Sequence, residues 1–259
     1  MKKVALITGA ASGIGKEFSK IHAQENGDII AIDINAKGLQ NLKKELELAY
    51  DIQVYTIVKH LTELNAAQEI YNELKSQNIE IDYLINNAGF GGVGAFHERD
   101  WNQDLAMIQV NVLALTALTR QFLPDFIAKD SGKILNVSST VSLVPGPYQA
   151  VYFATKAYVT SFNRSIYGEL LETNVTSTAL LPGATKTAFG DHSGMNKTAI
   201  YKKPASAKEV ATDGYKAMLK GEVEVIAGLG WDQRMELKFI PFMSSESLIK
   251  RIKKQSSVN

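Results

Sequence analysis

Short apolar runs at 4–7, 29–32, 52–58, 83–85, 133–137, 175–181 and 223–226 alternate along this chain with longer stretches at 14–23, 35–49, 62–77, 101–123, 152–171 and 207–219. A brief apolar run bounded by turn residues reads as a strand buried on both faces, and apolar residues recurring every three to four positions read as a helix. Strands joined by helices run parallel, because each crossover returns the chain to the same end of the sheet. The alternation therefore predicts an α/β fold, one doubly wound and mostly parallel sheet flanked by helices. No repeat, linker or low-complexity stretch interrupts it, so 1–259 is expected to form a single domain.

The first crossover carries the strongest local signal. The turn reads Thr8-Gly9-Ala10-Ala11-Ser12-Gly13-Ile14-Gly15, with three glycines where the backbone bends tightly, lets a ligand approach and packs a helix on a strand. A helix opening there presents free amides to a pyrophosphate. A Walker A loop would need Gly at Ala10 and Ser or Thr at Glu17, and the GxGxxG spacing is absent too. Taken alone, such a turn is often only a turn. Asp33 follows eighteen residues after Gly15, at the end of the second apolar run, where an acid bonds ribose hydroxyls and repels a 2′-phosphate.

Further candidates stand at the C-terminal ends of later strands, the edge at which open α/β sheets bind ligands. Asn86-Asn87-Ala88-Gly89 closes one, Ser138-Ser139 another, and Pro182-Gly183-Ala184-Thr185-Lys186-Thr187 a third. Asn111 interrupts the apolar surface of the 101–123 helix, and a mid-helix Asn invites a backbone irregularity or a bound water. Tyr152 and Lys156 lie four residues apart, on one face of a helix. A phenol titrating near 10 moves toward neutrality by roughly three units for about 4 kcal/mol of favourable charge interaction. The same pair is also an ordinary helix surface.

Composition narrows the chemistry. With 45% hydrophobic residues, 21% charged and a net charge of +1, there is a full core and no electrostatic case for nucleic acid. There is no Cys, and the four His (His22, His60, His97, His192) show no metal-binding spacing, so thiolate and metal catalysis are not expected. The start, Met1-Lys2-Lys3 before a short apolar run, breaks at Thr8-Gly9 and does not read as a signal peptide. No run approaches the ~20 apolar residues of a membrane span. A cytoplasmic location is expected.

In order and spacing, the turn 8–15, Asn86-Asn87-Ala88-Gly89, Asn111, Ser139, Tyr152-x-x-x-Lys156 and Pro182-Gly183 resemble the single-domain branch of the short-chain dehydrogenase/reductase family. The resemblance covers nearly the whole chain and weakens after about Thr187. It implies a Rossmann-type sheet of about seven strands, NAD(P)-dependent oxidation of alcohols or reduction of carbonyls, and a homotetramer or dimer. It also implies roles. Tyr152 is the proton donor or acceptor to the substrate oxygen, Lys156 bonds nicotinamide ribose and lowers the phenol pKa, Ser139 orients the substrate oxygen, and Asn111 holds a water against Lys156. Gly9, Ser12, Gly13, Ile14, Gly15, Asp33, Leu61, Asn87, Ala88 and Gly89 join Tyr152, Lys156, Pro182, Gly183, Thr185 and Thr187 in holding the dinucleotide. Asp33, with Ser12 and Ile34 where NADP-preferring members place a base, argues for NAD over NADP, although Lys37 is near. His60 replaces the Asp customary before Leu61-Thr62, so an adenine contact is missing or remade.

Phe90, Val93, Leu143, Val144, Tyr148, Phe189 and Met195 are expected to border the substrate. They are mostly apolar with no cation placed to clamp an acid, which points to an uncharged or amphiphilic ketone or secondary alcohol, such as a ketoacyl, steroid-like or acetoin-sized compound. Residues 186–202, rich in Gly, Ser and Thr, read as a mobile lid. The tail is apolar in patches over 236–242 and forms a basic amphipathic helix over 245–255. Such a helix can lie on an anionic membrane; a solvated terminal helix packing a few residues on the body is the favoured expectation. A catalytically silent dinucleotide-sensing protein of the same fold is the alternative, and an intact Asn111, Ser139, Tyr152 and Lys156 set counts against it.

Overall fold

The computed structural model describes residues 2–201 and 203–256. The chain runs Val4–Thr8 (β1), Gly13–Gln24 (α1), Asp28–Asp33 (β2), Ala36–Ala49 (α2), Val54–Val58 (β3), Ala66–Ser76 (α3) and Tyr83–Asn86 (β4). Trp101–Ile108 (α4) continues through a π-helical stretch, Gln109–Ala114, into Leu115–Ala128 (α5). Then come Gly132–Val137 (β5), Ala150–Glu169 (α6), Val175–Pro182 (β6), Thr185–Lys186 (β7), Ala188–Ser193 (α7), Ala205–Ser206 (β8), Ala207–Lys220 (α8), Glu224–Ala227 (β9), Trp231–Phe239 (α9) and Ser245–Ser256 (α10).

Seven strands form one sheet in the order β3-β2-β1-β4-β5-β6-β9, and every pair is parallel. This is the Rossmann-type arrangement that the alternation and the resemblance imply. Strand order reverses between β1 and β4, and the crevice beyond their C-terminal ends is the ligand position of such a sheet. Two apolar layers hold the helices down. Phe18, Leu39, Leu42 and Leu46 with Val210 and Met218 bury α1, α2 and α8 on one face. Ile70, Leu74, Leu118, Phe122 and Phe126 bury α3 and α5 on the other. A chain of buried amides crosses β4, β5 and α6: Asn86 Nδ2 donates to Asn136 Oδ1 at 2.9 Å, and Asn136 Nδ2 donates to Asn163 Oδ1 at 3.0 Å.

Local signals mislead at two boundaries. The helix expected from a Thr62 cap begins at Ala66, with Asn65 before it, because the backbone at 60–65 first folds into turns (Glu63 N to His60 O, 3.1 Å) that bury Leu61. The helix expected to stop at 123 runs on through Pro124 to Ala128, since Phe126 has a fully buried site on the sheet. By length and composition Trp101–Ala128 is apolar enough to cross a bilayer. Here Leu115, Leu118, Phe122 and Phe126 are buried within the fold. The irregularity expected at Asn111 is present, as the π-helical stretch around it.

Residues 186–201 fold as α7 and two single turns, tied at both ends by a two-residue parallel ladder, Thr185 beside Ala205 and Lys186 beside Ser206. Residue 202, the expected end of this lid, lies outside the described residues, as do 1 and 257–259. The basic helix of the tail forms as α10, and Ile252 is buried against the body.

Candidate active site

The β1 carboxyl end is built to bend. Gly9 and Gly13 take φ of +66° and +54°, a region that disfavours any side chain, and a Cβ on Gly15 would lie 2.1 Å from the Gly9 carbonyl oxygen. Thr8, to which the sequence assigns no role of its own within the turn, secures this bend: its hydroxyl accepts from the amides of Asn87 and Ala88 at 3.0 and 2.9 Å. Asn87 returns the support, donating its side-chain amide to the carbonyls of Thr8 (2.9 Å) and Gly9 (3.3 Å). No side chain caps the first amides of α1 and its first turn holds no acid. Its positive end therefore faces the cleft uncompensated. Asp33 closes β2 with one carboxylate oxygen accepting from Ala11 N and the other from Asn35 N, both at 3.0 Å.

From this turn a cleft of ≈ 580 Å³ runs across the sheet edge. Gly9, Ser12, Gly13, Ile14, Asp33, Leu61, Asn87, Ala88, Gly89, Ser139, Tyr152, Lys156, Pro182, Gly183, Thr185 and Thr187 all line it. Gly15 and Asn111 stand behind the wall: Gly15 seats α1 on the bend, and Asn111 braces the segment after β4. Asn111 donates to Phe90 O at 2.9 Å and to Thr155 Oγ1 at 3.1 Å, and accepts from Phe90 N at 3.1 Å. Its amide thus joins the loop after β4 to α6. The glycine cradle, the uncapped helix end and the Asp33 carboxylate together fit a dinucleotide lying along the cleft.

At the other end stand the groups that handle protons. Tyr152 is buried with its ring 5.5 Å from Phe189, and burial raises its pKa above the usual value, while the Ser139 hydroxyl draws it partly back. Lys156 Nζ donates to Val137 O at 2.9 Å and sits 5.9 Å from the Tyr152 ring centroid; burial lowers its pKa to about 8. Loss of solvent sets the direction, so the phenol is neutral, and the lowering by Lys156 that the resemblance implies does not prevail in the protein alone. Ser138, one position from Ser139, has a different part: its hydroxyl donates to Lys156 O at 2.9 Å and meets Thr160 Oγ1 at 2.7 Å, anchoring α6.

An apolar cluster packs around Tyr152, and part of it lines the cleft. Of the expected borders, Phe90, Phe189 and Met195 line the cleft; Val93 and Val144 pack in the cluster behind it, and Leu143 and Tyr148 do neither. Tyr148 takes φ +65° and presents its ring to Lys253 Nζ at 6.0 Å. Val141 and Tyr201 also line the cleft, and Met107, Phe153 and, from α10, Leu248 and Ile252 pack behind them; nothing local says that these five elements will meet. Arg99 is another residue that sequence reasoning misses. It pairs with the buried Asp104 at 2.7 Å and donates to Val93 O at 3.1 Å, holding the loop against that cluster.

The family model for short-chain dehydrogenases matches residues 3–197. A 3-oxoacyl-[acyl-carrier-protein] reductase of Thermotoga maritima is 34% identical over 213 residues, covering 81% of this chain and 80% of that one. Among solved structures, a short-chain dehydrogenase from Sphingobium yanoikuyae in complex with NADPH superposes with a TM-score of 0.83 at 24% identity, covering 99% of each chain. A short-chain dehydrogenase/reductase from Burkholderia phymatum in complex with NAD gives 0.83 at 21% identity, covering 100% of this chain and 96% of that one.

Proposed function

The chain belongs to the short-chain dehydrogenase family, an oxidoreductase of CH–OH donors that uses a nicotinamide dinucleotide, and on that premise we propose that it reduces an uncharged or amphiphilic ketone, or oxidises the corresponding secondary alcohol. The observation that carries this reading is the apolar wall of Phe90, Val141, Phe189 and Met195 that lines the cleft beside Tyr152, Ser139 and Lys156. Among the described residues lining that end of the cleft there is no Arg, and no Lys besides Lys156, to clamp a substrate carboxylate.

When bound, the dinucleotide supplies or accepts the hydride. The protein positions the carbonyl and manages one proton. Ser139 and Tyr152 present two hydroxyls to the same substrate oxygen, and the neutral phenol donates the proton that a reduced carbonyl needs. Lys156, charged below pH about 8, favours the phenolate left behind. Asn111 and Thr155 keep the segment after β4 against α6, so the proton donor and the cofactor wall hold one spacing.

NAD is the preferred cofactor in this reading. The Asp33 carboxylate stands where a 2′-phosphate would meet it, and Lys59, the nearest lining cation, is already paired with Glu63 and Glu69. The protein works as a dimer or tetramer, which covers the exposed Trp101, Leu105 and Leu113 of the α4–α5 helix and Tyr158 of α6.

A panel of ketones, keto acids and secondary alcohols followed at the nicotinamide absorbance with both dinucleotides tests the reading. Neutral ketones with NADH should turn over fastest. Preference for keto acids would overturn the substrate class, and equal kcat/KM with NADH and NADPH would overturn the cofactor choice. A dinucleotide bound tightly with no turnover on the whole panel would instead support a sensor.

A further inference from the structure

We propose that the C-terminal segment docks this protein on an anionic lipid surface, with the aromatic side chains of α9 and the turn after it in the headgroup layer and the basic face of α10 against the lipid phosphates. None of the residues of α9 is buried. Trp231, Met235 and Phe239 recur at intervals of four, so they form one stripe along the helix. Trp231 is 78% exposed and Phe239 60%, and Phe242 just beyond is 85% exposed. An amphipathic helix in a folded domain turns its apolar stripe to the core. Here both ends of that stripe face outward, with Met235 between them partly buried and Arg234 and Lys238 along its edge, which marks an interaction site.

The second half of the surface is α10, in an orientation the sequence does not disclose. Leu248 and Ile252 pack into the apolar cluster around Tyr152 and Met195, and Ser256 is buried, so most of the apolar face of this helix is covered and Ile249 alone stays exposed among its described apolar residues. Outside it shows Lys250, Arg251, Lys253 and Lys254, with Glu246 paired to Lys250. A simple amphipathic helix lying apolar side down is therefore ruled out for α10. The two helices are joined where Arg251 bonds Glu236. Residues 231–254 carry six basic and three acidic side chains, while the remainder of the chain is net negative by two.

Those features select the partner. A second copy of the same segment would bring like charges together. An acidic protein would meet the cations alone. A bilayer containing anionic lipid answers both parts: phosphates attract the cations at about fivefold in partitioning per residue, and Trp and Phe settle at the interface. The docking stands independently of the substrate reading. If both hold, Leu248 and Ile252, packed behind the cleft wall around Tyr152 and Met195, bring that end of the cleft toward the lipid surface, suited to an amphiphilic ketone drawn from it.

Co-sedimentation of the full chain with vesicles of phosphatidylcholine, or of phosphatidylcholine mixed with phosphatidylglycerol, tests the proposal. Binding is expected only to the mixed vesicles, weakening as salt rises. In a Trp101→Phe background, whose only indole is Trp231, the emission should shift to the blue on binding. Phe239→Ser with Phe242→Ser should lower partitioning by about tenfold or more, and Lys250→Glu with Lys254→Glu by a similar factor, with dinucleotide binding unchanged as the check on folding. Failure to bind mixed vesicles at low salt overturns the proposal, as does binding indifferent to the Phe pair. Sedimentation velocity showing that the Phe pair instead dissociates an oligomer overturns it in favour of a second copy.

Discussion

Tyr152 and Lys156 show how burial alters the chemistry of a sequence pair. Four residues apart on α6, they are placed by helix geometry, but their proton affinities come from what packs over them. With the phenol raised and the ammonium lowered to about 8, the resting site holds a neutral donor beside a cation that titrates just above neutrality. Tyr152→Phe should cost at least about a hundredfold in kcat, the usual worth of a general acid, while dinucleotide binding measured by fluorescence is retained. For carbonyl reduction, kcat/KM should fall as pH rises through about 8, where Lys156 loses its charge, and Lys156→Met should be slower with that fall removed. His22 supplies a separate dependence. It is buried, meets Tyr215 OH at 2.7 Å and Lys3 O at 3.0 Å, and burial lowers its pKa below the ordinary 6.5. Below pH 6.5 the unfolded chain takes up a proton that the native imidazole resists, so stability present above that pH declines as the medium is acidified. Thermal melts across pH 5 to 8 should show that decline, and His22→Gln should flatten it.

At the scale of elements, the bend between β1 and α1 is the most exacting. Gly15 has no room for a methyl group, because the Gly9 carbonyl oxygen would lie 2.1 Å from it. Gly15→Ala should force α1 off the bend, costing about 1–3 kcal/mol by overpacking. Dinucleotide affinity, read by titration calorimetry, should drop further than that of Gly168→Ala, where an added Cβ meets nothing within 4 Å. The glycines were legible in the sequence because a turn demands them locally. Thr8 was not, since its value lies in two amides delivered from β4 across the sheet. The amide chain of Asn86, Asn136 and Asn163 was equally hidden: nothing along any one strand says that three separate side chains will meet. The end of α5 was misjudged for the opposite reason, a local pattern fading at 123 while the buried seat of Phe126 carried the helix on.

Across the whole molecule, two outward apolar surfaces stand on different elements and serve different proposals. The surface along α4, α5 and α6 presents Leu113 at 48% and Tyr158 at 39% exposure, with Tyr158 OH 3.0 Å from Thr116 Oγ1. Leu113→Glu should shift the protein to a smaller species in sedimentation velocity without unfolding it; an unchanged sedimentation coefficient would exclude this surface as the subunit contact. The sequence by itself determined the parallel α/β sheet, the ligand-binding edge and most of the cleft lining. Strand, helix and turn signals are local, and a cofactor-binding edge gathers the residues that directly follow strands. Tertiary structure alone decided the direction of the two pKa shifts, the packing of Leu248 and Ile252 against the cluster around Tyr152, and the outward aromatics of α9. Desolvation depends on every group packed around a site, and helical periodicity shows that an apolar face exists without showing whether the fold covers it.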